Sequence, residues 1–568
     1  MQLAIRQEDA DILLKQKNVL EESVVEKYRV AGQITQTALA YITSLINSSY
    51  HLQTTPKLTV QQLCLLTDSF LMKLLSRQYV NKVNEKGIAH PTTINVNQLV
   101  NGFSPEIDDE REFFFNEGDV LTISLGVQID GYTSQVSHTL VIYPPSSEDK
   151  SKPAGPLLGN NADALCACHL ATESVVVLLG CALSPEKLPA NLKNSNNTIT
   201  GTQIRQLVDA IADSFNCIVV PGSKIRRVRR FLAGQAEGIV AERDFKGVVW
   251  DESHQEARLL KQSSSNSTDL ILSLETNKPV NTNNSSAIPT DDFVVVPGEV
   301  YQIDIRMAGL SEVNEVGIVT TEEIDHFTGK NNKENDFNSK SSIFIRDFAV
   351  THQLRLKTSR KLLGEIDKKF SVYPFKLDYA SNSFPINLEG SEDDIKAQIM
   401  AITQDMKSNR LGAAELSNRH LIQPKPIQVT KFIPLKEILL SANPTGKHGI
   451  DAAKPVLPGM EIPLPNLGVS SLKLKALLKT GVNISNVRES TTVAINENNQ
   501  ELIRLTGGES TCKSNWIHSQ YKLPNELNET ISQLVQLSQD KRFGIKIKEV
   551  VPYKMQQTNM AVESMQID

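Results

Sequence analysis

The segment 222–231 (GSKIRRVRRF) holds five cations within seven positions: Lys224, Arg226, Arg227, Arg229 and Arg230. Ile225 and Val228 interrupt them at a three-residue step, so one side of the segment can anchor while the cations point outward. Arginine suits phosphate because its planar guanidinium donates two parallel hydrogen bonds. The pattern therefore predicts contact with RNA through backbone charge, with an affinity that falls as salt rises. A solvated charge run and a nuclear localisation signal are the alternative interpretations.

Two further basic segments lie nearer the C-terminus. Lys473 and Lys475 belong to SLKLKALLKT, and Lys541 and Arg542 belong to KRFGIKIK. Such runs are more often solvated faces than docking sites. We predict that these four residues join the 222–231 segment in binding RNA, provided that the fold places them on one side of the molecule.

Charge and cysteine usage narrow the classes of function. The formal net charge of -6 argues against a generally basic nucleic-acid binder and leaves room for a local basic patch. The six cysteines form no CxxC pair, and so few in so long a chain fit a reducing compartment. Cys166, Cys168 and His169 cluster in LCACHL, but their spacing suits a buried helix face better than a tetrahedral metal site. We therefore predict neither a metal nor a cofactor.

Targeting and membrane signals are weak. The first residues, MQLAIRQEDADILLKQK, have no apolar signal core. The most apolar run, 174–183, is about half as long as a membrane-spanning helix requires. We expect a nuclear or cytoplasmic protein that does not bind a membrane.

Apolar spacing predicts the elements that position these residues. With 568 residues, of which 40% are hydrophobic and 22% charged, the chain can bury a large core. Three- and four-residue steps predict helices at 21–46, 60–79, 160–183, 201–215 and 354–369. Two-residue alternation predicts strands at 121–129, 132–143, 238–250 and 292–307, with Asp130-Gly131 as a tight hairpin turn. The predicted class is α+β, with a mainly antiparallel sheet and helices gathered on one side.

Four stretches carry a family resemblance. They are KGIAHPTTINVNQLVNGFSP (86–105), LGVQIDGYTSQVSHTLVI (125–142), LRLKTSRKLLGEIDKKFSVYPFKLD (354–378) and RLGAAELSNRHLIQP (410–424). Together they resemble type 2 methionine aminopeptidases, and more closely the proliferation-associated, non-peptidase branch of that fold. The resemblance runs from about residue 21 to about residue 548. It implies the "pita-bread" fold, with antiparallel sheets, a pseudo-twofold relation between halves and a type 2 insert at about 355–425.

The dinuclear metal site of that family provides a test of chemistry. Two Asp, one His and two Glu bind the ions there, and another His lies near the substrate. The resemblance matches the positions of the Asp pair to Ser124 and Gln135, the ligand His to Gly234, and the substrate-side His to Gly102. It matches the two Glu to Asp304 and Glu489, although the second alignment can slip by one residue. At most two carboxylates remain, so the resemblance implies a vestigial cleft without metal catalysis, and we expect glycine at 102 and 234 to widen it.

The resemblance extends to fungal factors of ribosome export. It implies a monomer that binds the precursor of the large ribosomal subunit near the polypeptide exit and helps to carry it from the nucleus to the cytoplasm. The implied partners are ribosomal RNA, exit-tunnel ribosomal proteins, Phe-Gly repeats of nuclear pores and cytoplasmic release factors. The implied location is the nucleus and cytoplasm, and the nucleolus is consistent with it.

Two other classes of function stay open. The first is a metal-dependent aminopeptidase or prolidase with unusual ligands, and the second is a regulator of transcription or of free RNA. The predicted domain organisation is an extension at 1–20, an aminopeptidase-like domain at 21–550 and a disordered tail at 551–568. Polar, low-complexity composition predicts loop insertions at about 254–290 and 325–342.

Overall fold

The computed structural model describes residues 16–230, 246–258, 291–324, 340–438, 477–512 and 516–554, apart from one or two residues at a time within these ranges, together with residue 12. The helices are α1 Glu22–Ile46, α2 Val60–Arg77, α3 Asn160–Gly180, α4 Gly201–Ser214, α5 Lys357–Lys369, α6 Glu392–Asn418 and α7 Asn525–Gln539. The first nine strands are β1 Lys86–Val96, β2 Leu99–Asn101, β3 Val120–Ile129, β4 Tyr132–Val141, β5 Cys217–Val219, β6 Lys224–Val228, β7 Gly247–Val249, β8 Val300–Gly309 and β9 Gly317–Ile324. The remaining strands are β10 Ile343–Arg346, β11 Phe375–Lys376, β12 Ile422–Pro424, β13 Ile427–Pro434, β14 Val482–Asn483, β15 Val487–Asn496, β16 Glu501–Arg504 and β17 Ile547–Glu549.

One large sheet dominates the fold. Its strand order is β1-β3-β4-β15-β8-β6-β7, while β5 pairs with β8, β16 with β15, and β17 with β16. Among these described strands the pairings are antiparallel except that of β16 with β17. A second sheet joins β14, β13, β2 and β9, and a third joins β11, β10 and β12. The predicted α+β class is confirmed.

The β3–β4 hairpin forms where its sequence predicts it. Asp130 and Gly131 both have positive φ, 54° and 82°, which is the backbone of the tight two-residue turn that Asp-Gly favours. Lys27 of α1 holds the turn through an ion pair of 2.6 Å with Asp130. All ten residues of β3 are buried, including the polar set that alternation separates from Leu121 and Ile123. The polar side of this strand is therefore covered by the protein.

The apolar face of the sheet carries the helices. Helices α1 and α2 pack over β1, β3 and β4, and helix α3 packs over β8 and β15. Helix α4 packs against α3 and against the strands β5 and β7. The segment Asn160–Leu183, which contains α3, is long and apolar enough to cross a membrane, but 78% of its most apolar window is buried inside the fold. One such helix is weak evidence for a membrane, and its burial here fits a core helix.

The segment predicted as an insert contains α5, α6, β11 and β12, and buried charges join it to the body. Lys376 Nζ lies 3.5 Å from Asp68 of α2 and 3.3 Å from Asp378. Burial lowers the pKa of Lys376, but the two carboxylates raise it well above its usual value, so the ammonium stays charged. Arg410 of α6 contacts Glu106 at 2.8 Å and also pairs with Asp108.

Some predicted bounds differ from the structure. The strand predicted at 292–307 begins at Val300, because Pro297 has no N–H to donate and the chain turns at Gly298. The helix predicted from residue 354 begins at Lys357. Of the strand predicted at 238–250, the structure describes residues 246–250, and Gly247–Val249 is strand. Most of the extension 1–20, the loops 254–290 and 325–342, and the tail 551–568 lie outside the described residues.

Candidate functional site

The polar face of the large sheet brings five strands together in one row. Cross-strand pairing joins Ser124 to Ser137, Ser137 to Ser490, Ser490 to Asp304, and Asp304 to Lys224. Directly paired residues project to the same face, so these side chains form a continuous line across β3, β4, β15, β8 and β6. We call this line and the side chains beside it the cleft floor, because it contains the positions that resemble the metal ligands.

A guanidinium occupies the middle of the cleft floor. Arg488 donates to both carboxylate oxygens of Asp304, from Nε at 2.6 Å and from Nη2 at 2.9 Å, and its Nη1 lies 3.5 Å from Ser124 Oγ. Arg306 adds a contact of 3.3 Å to Asp304. Burial alone would raise the pKa of Asp304, but Arg488 and Arg306 hold it well below its usual value. Asp304 is therefore an ionised carboxylate engaged by two guanidiniums.

The other two matched positions on this floor are occupied by neutral hydrogen bonds. Ser137 Oγ donates to Ser124 Oγ at 2.8 Å. The side chain of Gln135 accepts from Gln302 Nε2 at 3.0 Å. Hydroxyl and amide groups in these roles do not replace the two bridging carboxylates that a pair of divalent ions requires.

Glu489 lies on the opposite face of the sheet from Asp304. Strand alternation places Arg488 and Ser490 on the cleft floor and turns Glu489 toward the helices. There His138 Nδ1 lies 2.9 Å and 3.1 Å from the two oxygens of Glu489, and the backbone N–H of Thr139 donates to the same carboxylate. The predicted inclusion of Glu489 in the cleft needs this correction: Ser490 is the residue of β15 that pairs with Asp304.

The residues behind the sheet form a second polar cluster of His138, Glu489 and Cys512. All three are buried, and one ligand atom from each lies within 4.8 Å of the others. Burial lowers the pKa of His138, but Cys512 and Glu489 raise it well above its usual value. A protonated imidazole therefore neutralises the buried carboxylate without an ion.

Gly102 does not widen the cleft. Its φ is +83°, and a Cβ added there would lie 2.7 Å from the carbonyl oxygen of Pro426. Real Cβ atoms essentially never approach so closely, so backbone fills the space that a larger side chain would need. The expectation of a roomier cleft is wrong at this position, and Gly234 lies outside the described residues.

The matched positions within the described chain do not fit a dinuclear metal centre. Ser124 and Gln135 have no charge, Asp304 is paired with guanidiniums, and Glu489 is on the other face. The one carboxylate of the five-strand row already has a strong cationic partner in Arg488. A divalent ion would have to displace that partner and would find a single anionic ligand.

The basic segment 222–231 contains strand β6 of the large sheet. Lys224 and Arg226 project toward the cleft floor, while Arg227 projects to the helix side and pairs with Glu299 at 2.7 Å. Arg230 pairs with Asp130 at 3.1 Å, and Arg229 is half-buried. Part of the segment's charge is therefore used inside the fold, and its RNA-binding role stays a prediction.

The remaining basic residues are placed unequally. Lys541 and Arg542 are exposed in the turn after α7, next to Phe543, which is 75% exposed. Lys473 and Lys475 lie outside the described residues. Arg306, Arg488, His138 and Cys512 are site residues that were not predicted from the sequence. A usable signal was present in QIDIRMAG and NVRES, because an arginine inside a buried strand requires an anionic partner.

Comparison with known proteins places this geometry in a family. The profile of metallopeptidase family M24 matches residues 26–168. The chain is 88% identical over 568 residues to a Candida albicans protein named "Probable metalloprotease ARX1", covering 100% of each. It is 50% identical over 585 aligned positions to the Saccharomyces cerevisiae protein of the same name, covering 98% of this chain and 97% of that one. A solved structure described as a thermophilic Arx1 aligns with 90% of this chain and 98% of its own, with a TM-score of 0.52 and 17% identity.

These comparisons confirm the expected methionine-aminopeptidase-like fold. The M24 match covers most of α1, all of α2 and the strands β1 to β4, and these strands carry the first two stretches of the resemblance. The solved structure supports the fold alone, because its identity is low. The two fungal relatives cover nearly the whole chain at high identity. The chain therefore belongs to the Arx1 family.

Proposed function

We propose that this chain is a non-catalytic factor of ribosome biogenesis that binds the precursor of the large ribosomal subunit near the polypeptide exit and assists its nuclear export. The observation that carries the non-catalytic part is the contact of Arg488 with Asp304 and Ser124. A single internal cation stands between two positions that the resemblance matches to metal ligands. The ribosomal part rests on the likeness to fungal factors of ribosome export and on membership of the Arx1 family.

An exposed tip after α7 supports docking on a ribosomal surface. Lys541 and Arg542 are exposed there beside Phe543, which has 75% of its surface accessible, and Lys548 is exposed in β17. Cations bind phosphates while an exposed aromatic ring stacks on a base, so this combination suits RNA. Phe543 is also the kind of large apolar side chain that a protein partner at the exit would cover.

The proposal includes shuttling between nucleus and cytoplasm. On this account the factor contacts Phe-Gly repeats of nuclear pores during transit and leaves the particle through cytoplasmic release factors. It needs no cofactor and acts as a monomer.

Sedimentation of cell lysate tests the ribosomal assignment. The protein should comigrate with large-subunit precursors, and Lys541→Glu/Arg542→Glu should move much of it to the top of a sucrose gradient. Lys193→Glu/Lys522→Glu is the matched control, because both lysines are exposed elsewhere on the surface. Wild-type protein that stays at the top at low salt contradicts the assignment.

A metal-dependent peptidase is the second candidate, because the fungal relatives are named "Probable metalloprotease". That function requires ions bound at the cleft floor in spite of Arg488. Stoichiometric divalent metal together with cleavage of methionine-initiated peptides by the pure protein would establish it. Substitution of Arg488 should then alter the metal affinity of the active protein.

A further inference from the structure

The cleft floor carries more positive than negative charge. Asp304 contacts Arg306 and Arg488. In the pairing of β6 with β8, Lys224 lies opposite Asp304 and Arg226 lies opposite Gln302. Burial lowers the pKa of Lys224 to about 7, and the charges of Arg226, Arg306 and Arg488 add to that effect. Among the described residues of this floor, Arg306 and Arg488 contact the one carboxylate, and Lys224 and Arg226 lie beside it on β6.

Two donors in this cluster are unsatisfied. The Nε atoms of Arg306 and Arg226 are buried and have no hydrogen-bond partner among the described residues. The side chain of Arg306 is 8% exposed. An unpaired buried donor costs free energy, and a charged one costs more. An added anion would offset the surplus charge and improve the pairing of these guanidiniums.

The floor is not sealed from solvent. Lys224, Arg226, Gln135 and His90 are partly exposed at its edge. Gly222 is exposed, and a Cβ added to it would lie 3.2 Å from Arg306 Nη1, so solvent reaches the chain directly beside that guanidinium. A small or slender group can therefore approach Arg306 beside the turn that precedes β6.

We propose that the cleft floor is a carboxylate-binding site that receives an acidic side chain from an extended segment of a partner protein. The chain's own Asp304 shows that a carboxylate fits the guanidinium fork of Arg488 in this cleft. The acidic side chain enters beside Arg306 and Arg226, where the unpaired donors and the surplus charge lie. The ancestral metal site has thereby changed polarity, from carboxylates that hold cations to cations that hold a carboxylate.

A peptide carboxylate fits this cleft better than an RNA phosphate. A backbone phosphate carries a sugar on both sides, whereas the carboxylate of glutamate ends a slender chain of methylenes. Arg306 and Arg488 expose 8% and 7% of their side chains, so the ligand must reach them through a narrow opening. The exposed tip at Lys541 and Arg542 offers phosphate an open surface instead.

Calorimetry on the purified full chain tests the site without ribosomes. Its result therefore does not depend on whether the protein binds the large ribosomal subunit. The ligands are N-acetyl-glutamate N-methylamide, its neutral glutamine analogue and a uridylate dodecamer. We expect saturable binding of the glutamate compound. The glutamine analogue should bind at least roughly tenfold more weakly, since one charge-assisted contact is lost. Equal binding of the two compounds, or no saturable binding of the glutamate compound, overturns the proposal.

Variants assign the binding to this cleft. Arg306→Gln and Arg226→Gln should each weaken binding of the glutamate compound by several-fold or more. Arg355→Gln, at an exposed residue before α5, should leave that affinity unchanged. Arg226 is partly exposed, so its variant remains informative if Arg306→Gln fails to fold. The uridylate dodecamer could instead displace the glutamate compound from the wild-type protein and fail to bind the Arg306 and Arg226 variants. That result would identify an RNA phosphate as the ligand and overturn the proposal.

Discussion

Arg488 and Asp304 form a two-point ion pair across neighbouring strands, with Nε and Nη2 at 2.6 Å and 2.9 Å from the two carboxylate oxygens. Both side chains are buried, Asp304 with 1% exposure. The pair stands on the face of the sheet where the family resemblance places metal ligands. It explains how a strand that kept one carboxylate of the old site can bury it without a metal ion.

Removing Arg488 should destabilise the fold. Arg488→Met leaves the carboxylate of Asp304 buried with the longer contact to Arg306, and breaking a buried ion pair typically costs about 3–5 kcal/mol. Urea unfolding should show the lower stability. The double variant Arg488→Met/Asp304→Leu should recover much of the loss, because no carboxylate then remains unpaired. A single variant as stable as wild type would contradict the pairing.

The cluster behind the sheet should give a pH-dependent contribution that Glu489 controls. Because Cys512 and Glu489 raise the folded-state pKa of His138, its contribution is fully present below the unfolded pKa and is lost as pH rises through the folded value. Glu489→Gln removes the buried negative charge and should reduce this dependence. The comparison is unfolding free energy against pH for both proteins, and parallel curves would refute the role of Glu489.

Glu106, which contacts the insert through Arg410, should make the stability of the fold depend on pH. Burial raises the pKa of this carboxyl to about 7, against the opposing effect of Arg410. Asp108, Asp378 and Lys376 are the other charges that act on it. Because the folded protein holds this proton more tightly than the unfolded chain, stability should fall by roughly 2–3 kcal/mol as pH rises from about 4.5 to about 7. Glu106→Gln should flatten that interval, and an unchanged slope would show that Glu106 is not its source.

Alanine variants of Gly102 and Gly118 distinguish the cost of backbone strain from the cost of crowding. Gly102→Ala meets both a φ of +83° and the carbonyl of Pro426, whereas Gly118→Ala meets a φ of +89° with nothing within 4 Å. A left-handed residue costs about 1–2 kcal/mol, so Gly118→Ala should lose about that much and Gly102→Ala clearly more. Thermal unfolding of the two variants checks this. Equal losses would mean that the chain around Pro426 moves freely.

The sequence predicts those parts of the site that depend on local pattern. The β3–β4 hairpin follows from alternation and Asp130-Gly131, and the replacement of metal ligands by Ser124 and Gln135 follows from the resemblance. The sequence does not predict which face of the sheet Glu489 occupies, because a shift of one residue in a strand exchanges the two faces. The pairing of β15 with β8, in which Ser490 lies opposite Asp304, fixes that register.

The partners of the charged residues could not be predicted from the sequence either. Arg488 and Asp304 are 184 residues apart, and no local pattern brings β15 beside β8. The segment 222–231 has the composition of a surface patch, yet β6 lies between β7 and β8 in the large sheet. Its pairing with β8 turns Arg227 toward Glu299 and Lys224 toward Asp304.

Metal binding by the purified protein tests whether the cleft floor has lost the dinuclear metal site. Calorimetric titration with Co²⁺ or Mn²⁺, followed by an assay on methionine-initiated peptides, measures whether the cleft floor still holds ions and cleaves a substrate. We expect no stoichiometric binding at this site and no cleavage, because Arg488 occupies the place between Ser124 and Asp304. Two ions bound per chain with peptide cleavage, both lost when Asp304 is replaced, would contradict it.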